Sequence, residues 1–245
     1  MYRLLYHGLT RPGRFHRKNE DSLLIFIPRN PSLLKRKGTL FVVADGAGGH
    51  SAGEVASRLA VETIRDAYYF NPKRDLEALA EAFRRAHERI KLEASQRGDV
   101  LATTATALLC RDQTAFFAQV GNSRLHLFRE GELRILSRDH TLVEALVRKG
   151  ILDPEEARRH PKRHILTQAL GVKMAPPHLG RLSLRPGDVF LLSTDGAHEV
   201  IGPEEMKRVL SEGISPRHVV RELAREIEAR GSPDDYTLLC LKVLD

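Results

Sequence analysis

The chain has 245 residues, 42% of them apolar and 29% charged, with 39 Lys and Arg against 32 Asp and Glu for a net charge of +7. This composition provides for a full hydrophobic core and excludes an intrinsically disordered chain. No apolar run approaches the ~20 residues needed to span a bilayer, Met1-Tyr2-Arg3-Leu4 lacks a signal peptide's apolar stretch, and two cysteines cannot build a disulfide framework or a four-ligand zinc site.

Cys110 and Cys240 both lie in apolar runs and are expected to be buried thiols in a reducing compartment. A cytoplasmic protein follows, acting as a monomer and without membrane contact. The basic balance suits partners that carry phosphate. Nucleic acid is the weaker option, because zinc-finger spacing, an RNP-type aromatic motif and Trp are all missing.

Along the chain, apolar runs at Leu23–Ile27 and Leu40–Ala44 predict strands separated by a basic loop with Pro28, Pro31 and Gly38. Ser51-Ala52-Gly53-Glu54 has capping-box spacing and opens a helix with Val55, Leu59 and Ile64 inward. A second helix covers Asp75–Gln96, with Leu76, Leu79, Phe83, His87, Ile90 and Ala94 on one stripe. His87 on that apolar face reads as a hydrogen-bonded core histidine rather than a ligand. Strands follow at Ala102–Cys110, Thr114–Val120 and Arg124–Arg129, then a more helical, basic segment at Asp139–Leu170. A strand at Val189–Ser193, helices at Pro203–Leu210 and Pro216–Arg230 and a strand at Thr237–Val243 complete the order. The last helix turns Val220, Leu223, Ala224 and Ile227 inward after its Ser215-Pro216 start. Regular β-α-β alternation is missing, which disfavours a doubly wound parallel sheet and favours an α+β sandwich.

Acids fall at the ends of these strands. Asp45-Gly46 ends one and Asp195-Gly196 another, Glu20-Asp21 abuts the strand at Leu23, and Asp234-Asp235 precedes the last. Any single Asp-Gly pair is ordinary turn chemistry. Four acid-ended strand termini together point instead to a site for a hard divalent ion, since all-oxygen ligand sets favour Mg²⁺ or Mn²⁺ over zinc.

The motifs around these acids carry a resemblance. Asn19-Glu20-Asp21-Ser22 and Asp45-Gly46-Ala47-Gly48-Gly49-His50-Ser51-Ala52-Gly53-Glu54 resemble the first two signatures of the metal-dependent serine/threonine protein phosphatases (PPM, type 2C). Thr103-Thr104-Ala105, Val120-Gly121-Asn122-Ser123-Arg124, Asp139-His140-Thr141, His164 to Gly171, Ser193 to Gly196 and Gly231 to Thr237 are similar to the later ones. The likeness spans about residues 7–243, in the family's order, and its compact length is like that of single-domain bacterial members.

The resemblance implies an α-β-β-α sandwich of two mainly antiparallel sheets flanked by paired helices, with residues 1–245 as one phosphatase domain. It implies two Mn²⁺ or Mg²⁺ ions, with Asp45 bridging them, the Gly46 carbonyl on one, and Asp195 and Asp234 on the other. Glu20 and Asp21 would orient metal-bound waters. Hydrolysis of phosphoserine and phosphothreonine follows, in phosphorylated proteins that include a Ser/Thr kinase. The alternative is a phosphoprotein-binding module of the same fold with little turnover.

Departures from the pattern are specific. His16 stands where the family has an Arg that contacts substrate phosphate, flanked by Arg14 and Arg17 as substitutes. Asn122 replaces an Asp that helps hold a third metal, so this site would bind weakly. Asp235 replaces an Asn and adds negative charge beside the centre, Ala47 replaces a candidate acid, and His50 reads as structural. Residues 139–171 correspond to a variable flap. Its Arg158, Arg159, Lys162 and Arg163 are either a solvated face or a recognition surface for phosphoprotein.

Overall fold

The structure is a computed structural model that describes residues 2–47 and 52–245. The expectations for His50 and for a Ser51 cap therefore lie outside the described residues. Chain order is β1 (Leu4–Arg11), β2 (Asp21–Phe26), α1 (Pro31–Lys37), β3 (Thr39–Ala47), α2 (Gly53–Tyr69) and α3 (Asp75–Arg97). Then come β4 (Ala102–Thr103), β5 (Ala105–Arg111), β6 (Thr114–Val120), β7 (Arg124–Arg129) and β8 (Glu132–Ile135). The flap region holds α4 (Leu142–Arg148) and α5 (Pro154–Arg159). β9 (His178–Ser183), β10 (Val189–Ser193), α6 (Asp195–His198), α7 (Pro203–Glu212), α8 (Pro216–Ala229) and β11 (Tyr236–Val243) end the chain.

Two antiparallel sheets form, one in the order β1-β11-β10-β7-β8 and the other β2-β3-β5-β6-β9 with β4 paired to β3. Strand periodicity assigns each side chain to one of three core layers. On β3, Leu40, Val42 and Ala44 face α2 and α3, while Phe41 and Val43 face the space between the sheets. On β11, Leu238 and Cys240 pack toward α7 and α8, while Leu239, Leu241 and Val243 fill the inter-sheet layer. Both faces are covered, so these strands read as unbroken apolar runs. The expected sandwich is the architecture observed.

The predicted helix stripes hold: Leu79, Phe83 and Ile90 are fully buried, as are Val220, Leu223 and Ile227. His87 Nδ1 accepts the Gly171 N–H at 3.1 Å, the structural role expected of it. The segment read as a basic loop contains α1. Asn30 caps it by accepting from Ser32 N and Leu33 N, Pro31 takes the first turn, and Gly38 closes it. Pro and Gly punctuate helices as well as loops, which is why the segment was ambiguous. Helix α2 begins at Gly53, after an Ala52 that supplies no side-chain cap. Strands β1, β8 and β9 carry no strong sequence signal because they are half-exposed, and all three lie at a sheet edge.

Candidate metal centre

The acids meet because the register brings strand ends from both sheets to one end of the sandwich. Asp21 and Asp45 are cross-strand partners on β2 and β3. Asp195 follows β10 directly and Asp234 precedes β11, and those strands are neighbours in the other sheet. Hydroxyl groups stitch the two sheets together there. Asp21 Oδ2 accepts from Thr194 Oγ1 and Thr237 Oγ1, both at 2.7 Å. Thr194 Oγ1 accepts the Thr237 N–H at 2.8 Å.

The Asp45 backbone is fixed separately. Its N–H donates to Thr104 Oγ1 at 3.0 Å, and its carbonyl accepts from Thr103 Oγ1 and Thr104 N at 2.8 Å each. This gives the Thr103-Thr104 motif a mechanical purpose: it prevents the end of β3 from fraying. Gly46 N–H reaches the Glu20 carbonyl at 3.1 Å. A Cβ on Gly46 would fall 2.2 Å from the Gly53 carbonyl oxygen, so the close approach of α2 to β3 requires glycine. A Cβ on Gly53 would meet Glu20 Oε2 at 2.4 Å and the Gly46 carbonyl at 2.8 Å. Two oxygens predicted to serve the centre thus border one small space.

The electrostatics are those of carboxylates held closer than is comfortable without a cation. Burial, with the charges of Asp195 and Asp21, raises the Asp45 pKa well above its ordinary range. Burial pushes Asp21 up to about 8, against the two hydroxyl donors and aided by Asp195 and Asp235. Burial and Asp195 raise Asp234, and burial with Asp235 and Glu54 raises Glu20. Asp21 Oδ1 is buried with no protein partner. An orphaned carboxylate oxygen among mutually repelling acids fits a bound divalent ion or its water.

Asp235, His16 and Asn122 each have a protein partner of their own. Asp235 adds negative charge beside the centre, contributing to the raised Asp21, Glu20 and Asp234, while its own side chain is buried against the loop before β2. Its oxygens accept from Gly13 N at 2.7 Å and Glu20 N at 2.6 Å, and His16 Nδ1 lies 3.0 Å away. His16 is therefore tied to Asp235, with Asp234 at 3.6 Å, and these acids raise its pKa against the lowering effect of burial. Arg14 and Arg17 are exposed and form no ion pair among the described residues. Asn122 turns its amide nitrogen to Asp195 Oδ2 at 2.9 Å, so it supports that carboxylate as a donor. Sequence reasoning missed Thr194 and Thr237 as partners of Asp21. Their only sequence signal was a hydroxyl within two or three residues of a motif acid.

In the flap region Arg158 pairs with Glu155 at 2.9 Å and Arg163 with Glu199 at 3.4 Å, while Arg159 and Lys162 are exposed. No described helix is long and apolar enough to cross a membrane.

A family model described as protein phosphatase 2C matches residues 19–229. The protein phosphatase PhpP of Streptococcus pneumoniae is 31% identical over 236 residues, covering 94% of each chain. The serine/threonine protein phosphatase PstP of Mycobacterium tuberculosis is 35% identical over 247 residues, which are 99% of this chain and 45% of PstP. A crystal structure of PstP superposes with a TM-score of 0.87 at 30% identity, covering 99% of both chains. Another, of its catalytic domain in complex with 2 manganese ions, gives 0.84.

Proposed function

The chain belongs to the protein phosphatase 2C family, and from that membership and the convergence of acids we infer a metal-dependent serine/threonine protein phosphatase. The observation that carries the reading is the meeting of Asp21, Asp45, Asp195 and Asp234 from two sheets, where burial and the charge of Asp195 raise Asp21, Asp45 and Asp234. Asp45, the Gly46 carbonyl, Asp195 and Asp234 would hold two Mn²⁺ or Mg²⁺ ions. Bound there, the ions would lower the pKa of a water and offset the charge gathering on the phosphoryl oxygens.

The chain's own residues would do the rest. Asp21 and Glu20 offer carboxylate oxygens to position the attacking water. The Thr194 and Thr237 hydroxyls hold Asp21 in place, and Thr103 and Thr104 hold Asp45. Attack forms a P–O bond to water and breaks the ester bond to the serine or threonine oxygen, releasing the free hydroxyl and inorganic phosphate. A cysteine nucleophile has no support, because burial pushes both thiols up to about 12. We read residues 1–245 as one catalytic domain with a flap at 139–171. His16, with Arg14 and Arg17 beside it, stands at the approach to the centre as the candidate group for substrate phosphate. Phosphorylated proteins, among them a partner Ser/Thr kinase, are the substrates this reading assigns. The two free buried thiols support a reducing, cytoplasmic setting, where the protein would act in signalling as a monomer.

The test is hydrolysis of p-nitrophenyl phosphate and a phosphothreonine peptide with Mn²⁺, with Mg²⁺ and with chelator. Asp45→Asn, Asp195→Asn and Asp234→Asn should each lower kcat by at least roughly 10²–10³-fold while remaining folded. Near-normal rates in all three would overturn the two-metal reading. Phosphopeptide binding without turnover in the unaltered protein would favour a binding module instead.

A further inference from the structure

Away from the metal centre the sandwich leaves a long edge open. β1 ends its sheet and runs beside β11 in unbroken register, from Leu4 opposite Val243 to Arg11 opposite Tyr236. Among the described residues, β11 is its only backbone hydrogen-bonding partner. Edge strands are usually blunted by shortness, proline, a bulge or a covering element. β1 is eight residues long with neither proline nor bulge, whereas β8, at the other edge of the same sheet, has four residues.

The two faces of β1 carry different chemistry. Leu4 and Tyr6 point between the sheets, where Leu4 packs on the inter-sheet layer and the Tyr6 ring lies tilted against Phe41, centres 5.7 Å apart. β2 edges the other sheet directly opposite, since a Cβ on Gly8 would meet Leu23 Cδ1 at 2.7 Å. The seam between these edge strands is unfinished: Leu4, Leu23 and Ile25 are only half-buried and Tyr6 is 40% exposed. On the other face Leu9 packs toward α8, and His7 stands beside Arg217 and Arg221. Burial, then the charges of these two guanidiniums, lower the His7 pKa, with no carboxylate acting on it. Arg217 and Arg221 are exposed one turn apart on α8, and their side chains form no ion pair or hydrogen bond among the described residues. Farther along the helix Arg225 does pair, with Glu222 at 3.1 Å. Like charges at this spacing repel, so the fold gains nothing from holding the two arginines unanswered. Arg11, also exposed, continues the basic row along the strand.

We propose that the open edge of β1 docks an extended segment of a partner protein in which acidic and apolar residues alternate. The segment adds as a further strand, pairing its backbone with the unpaired N–H and C=O groups of β1. Its apolar side chains cover Leu4, Tyr6, Leu23 and Ile25 and complete the seam between the sheets. Its acids face His7, Arg11, Arg217 and Arg221. Alternation follows because successive side chains of a strand point to opposite faces. Charge decides between occupants: a second copy of this edge would bring the same cations against one another, whereas an acidic strand is attracted. The inference rests on the sheet edge and its charges, and it stands independently of phosphatase turnover.

The probe is a short peptide alternating Glu and Val, added to the whole chain, with a Lys and Val peptide of equal length as the control. The acidic peptide should bind and slow amide exchange across Leu4–Arg11 while leaving β8 unchanged. Arg217→Glu combined with Arg221→Glu reverses two charges on an exposed helix face and should weaken binding at least about tenfold, with no loss of melting temperature. Arg217→Gln combined with Arg221→Gln should give a smaller loss in the same direction. N-methylation of alternate peptide amides separates strand addition from charge alone. One alternate set should abolish binding and the other should spare it, because only every second amide of an added strand points at β1. Binding that survives both sets, equal binding of the acidic and basic peptides, or β1 amides left unprotected overturns the docking edge. A dimer of the unaltered chain with its β1 amides already protected also overturns it, assigning the edge to a second copy.

Discussion

Asp235 gives the sharpest stability prediction, because one buried carboxylate holds the whole loop ahead of β2. It accepts the Gly13 and Glu20 amides at 2.7 and 2.6 Å and faces His16. Hydrogen bonds to a charged acceptor contribute about 1.5–3 kcal/mol each. Asp235→Ala removes two and should destabilise the metal-free protein by about 3–5 kcal/mol, with some recovery from water reaching the half-buried Glu20 amide. Asp235→Asn keeps an acceptor for one amide and relieves repulsion on Asp21 and Glu20, which Asp235 disfavours as anions. Its cost should be only about 1–2 kcal/mol. Urea unfolding measures the stability, and amide exchange at Gly13 and Glu20 locates the change. Because Glu20 loses its backbone anchor, kcat should fall more than KM rises. Stability within ~0.5 kcal/mol of the unaltered protein, with both amides still protected in the Ala variant, would refute the clamp.

Other outcomes follow from neighbouring groups. Asn122→Asp places a second carboxylate where an amide now donates to Asp195, so the metal-free protein should lose about 1–3 kcal/mol. Thermal melts with and without Mn²⁺ should show the ion recovering that loss, and equal melts would refute it. Burial lowers the pKa of His126 to about 3 and of His140 to about 4 from 6.5. Both are neutral in the fold while the unfolded chain protonates, so stability is intact above pH ~6.5 and declines toward the folded pKa values, by about 2 kcal/mol per histidine at pH 5. His126→Gln should flatten the pH 5–7 stability slope in urea titrations; an unchanged slope would remove His126 from the account.

The sequence by itself determined most strands around the candidate centre, because strands covered on both faces are largely apolar along their length. The ranges of β6, β7 and β10 could be read directly, as could the acids at strand ends. Asp45, Asp195 and Asp234 were legible because chain order and spacing are local facts. Of the half-exposed edge strands, β2 was legible through its Leu23–Phe26 run, whereas β1, β8 and β9 were not, since exposed positions tolerate any residue.

Only the tertiary structure decided what each acid faces. Asp234 and Asp235 are adjacent in sequence, yet one is exposed at the centre and the other is buried against Gly13 and Glu20. Asp21 depends on hydroxyls 173 and 216 residues away, and Arg163 meets Glu199 only after the flap folds back. Such pairings are set by register and by loop closure, long-range properties that a linear pattern of residue types does not encode.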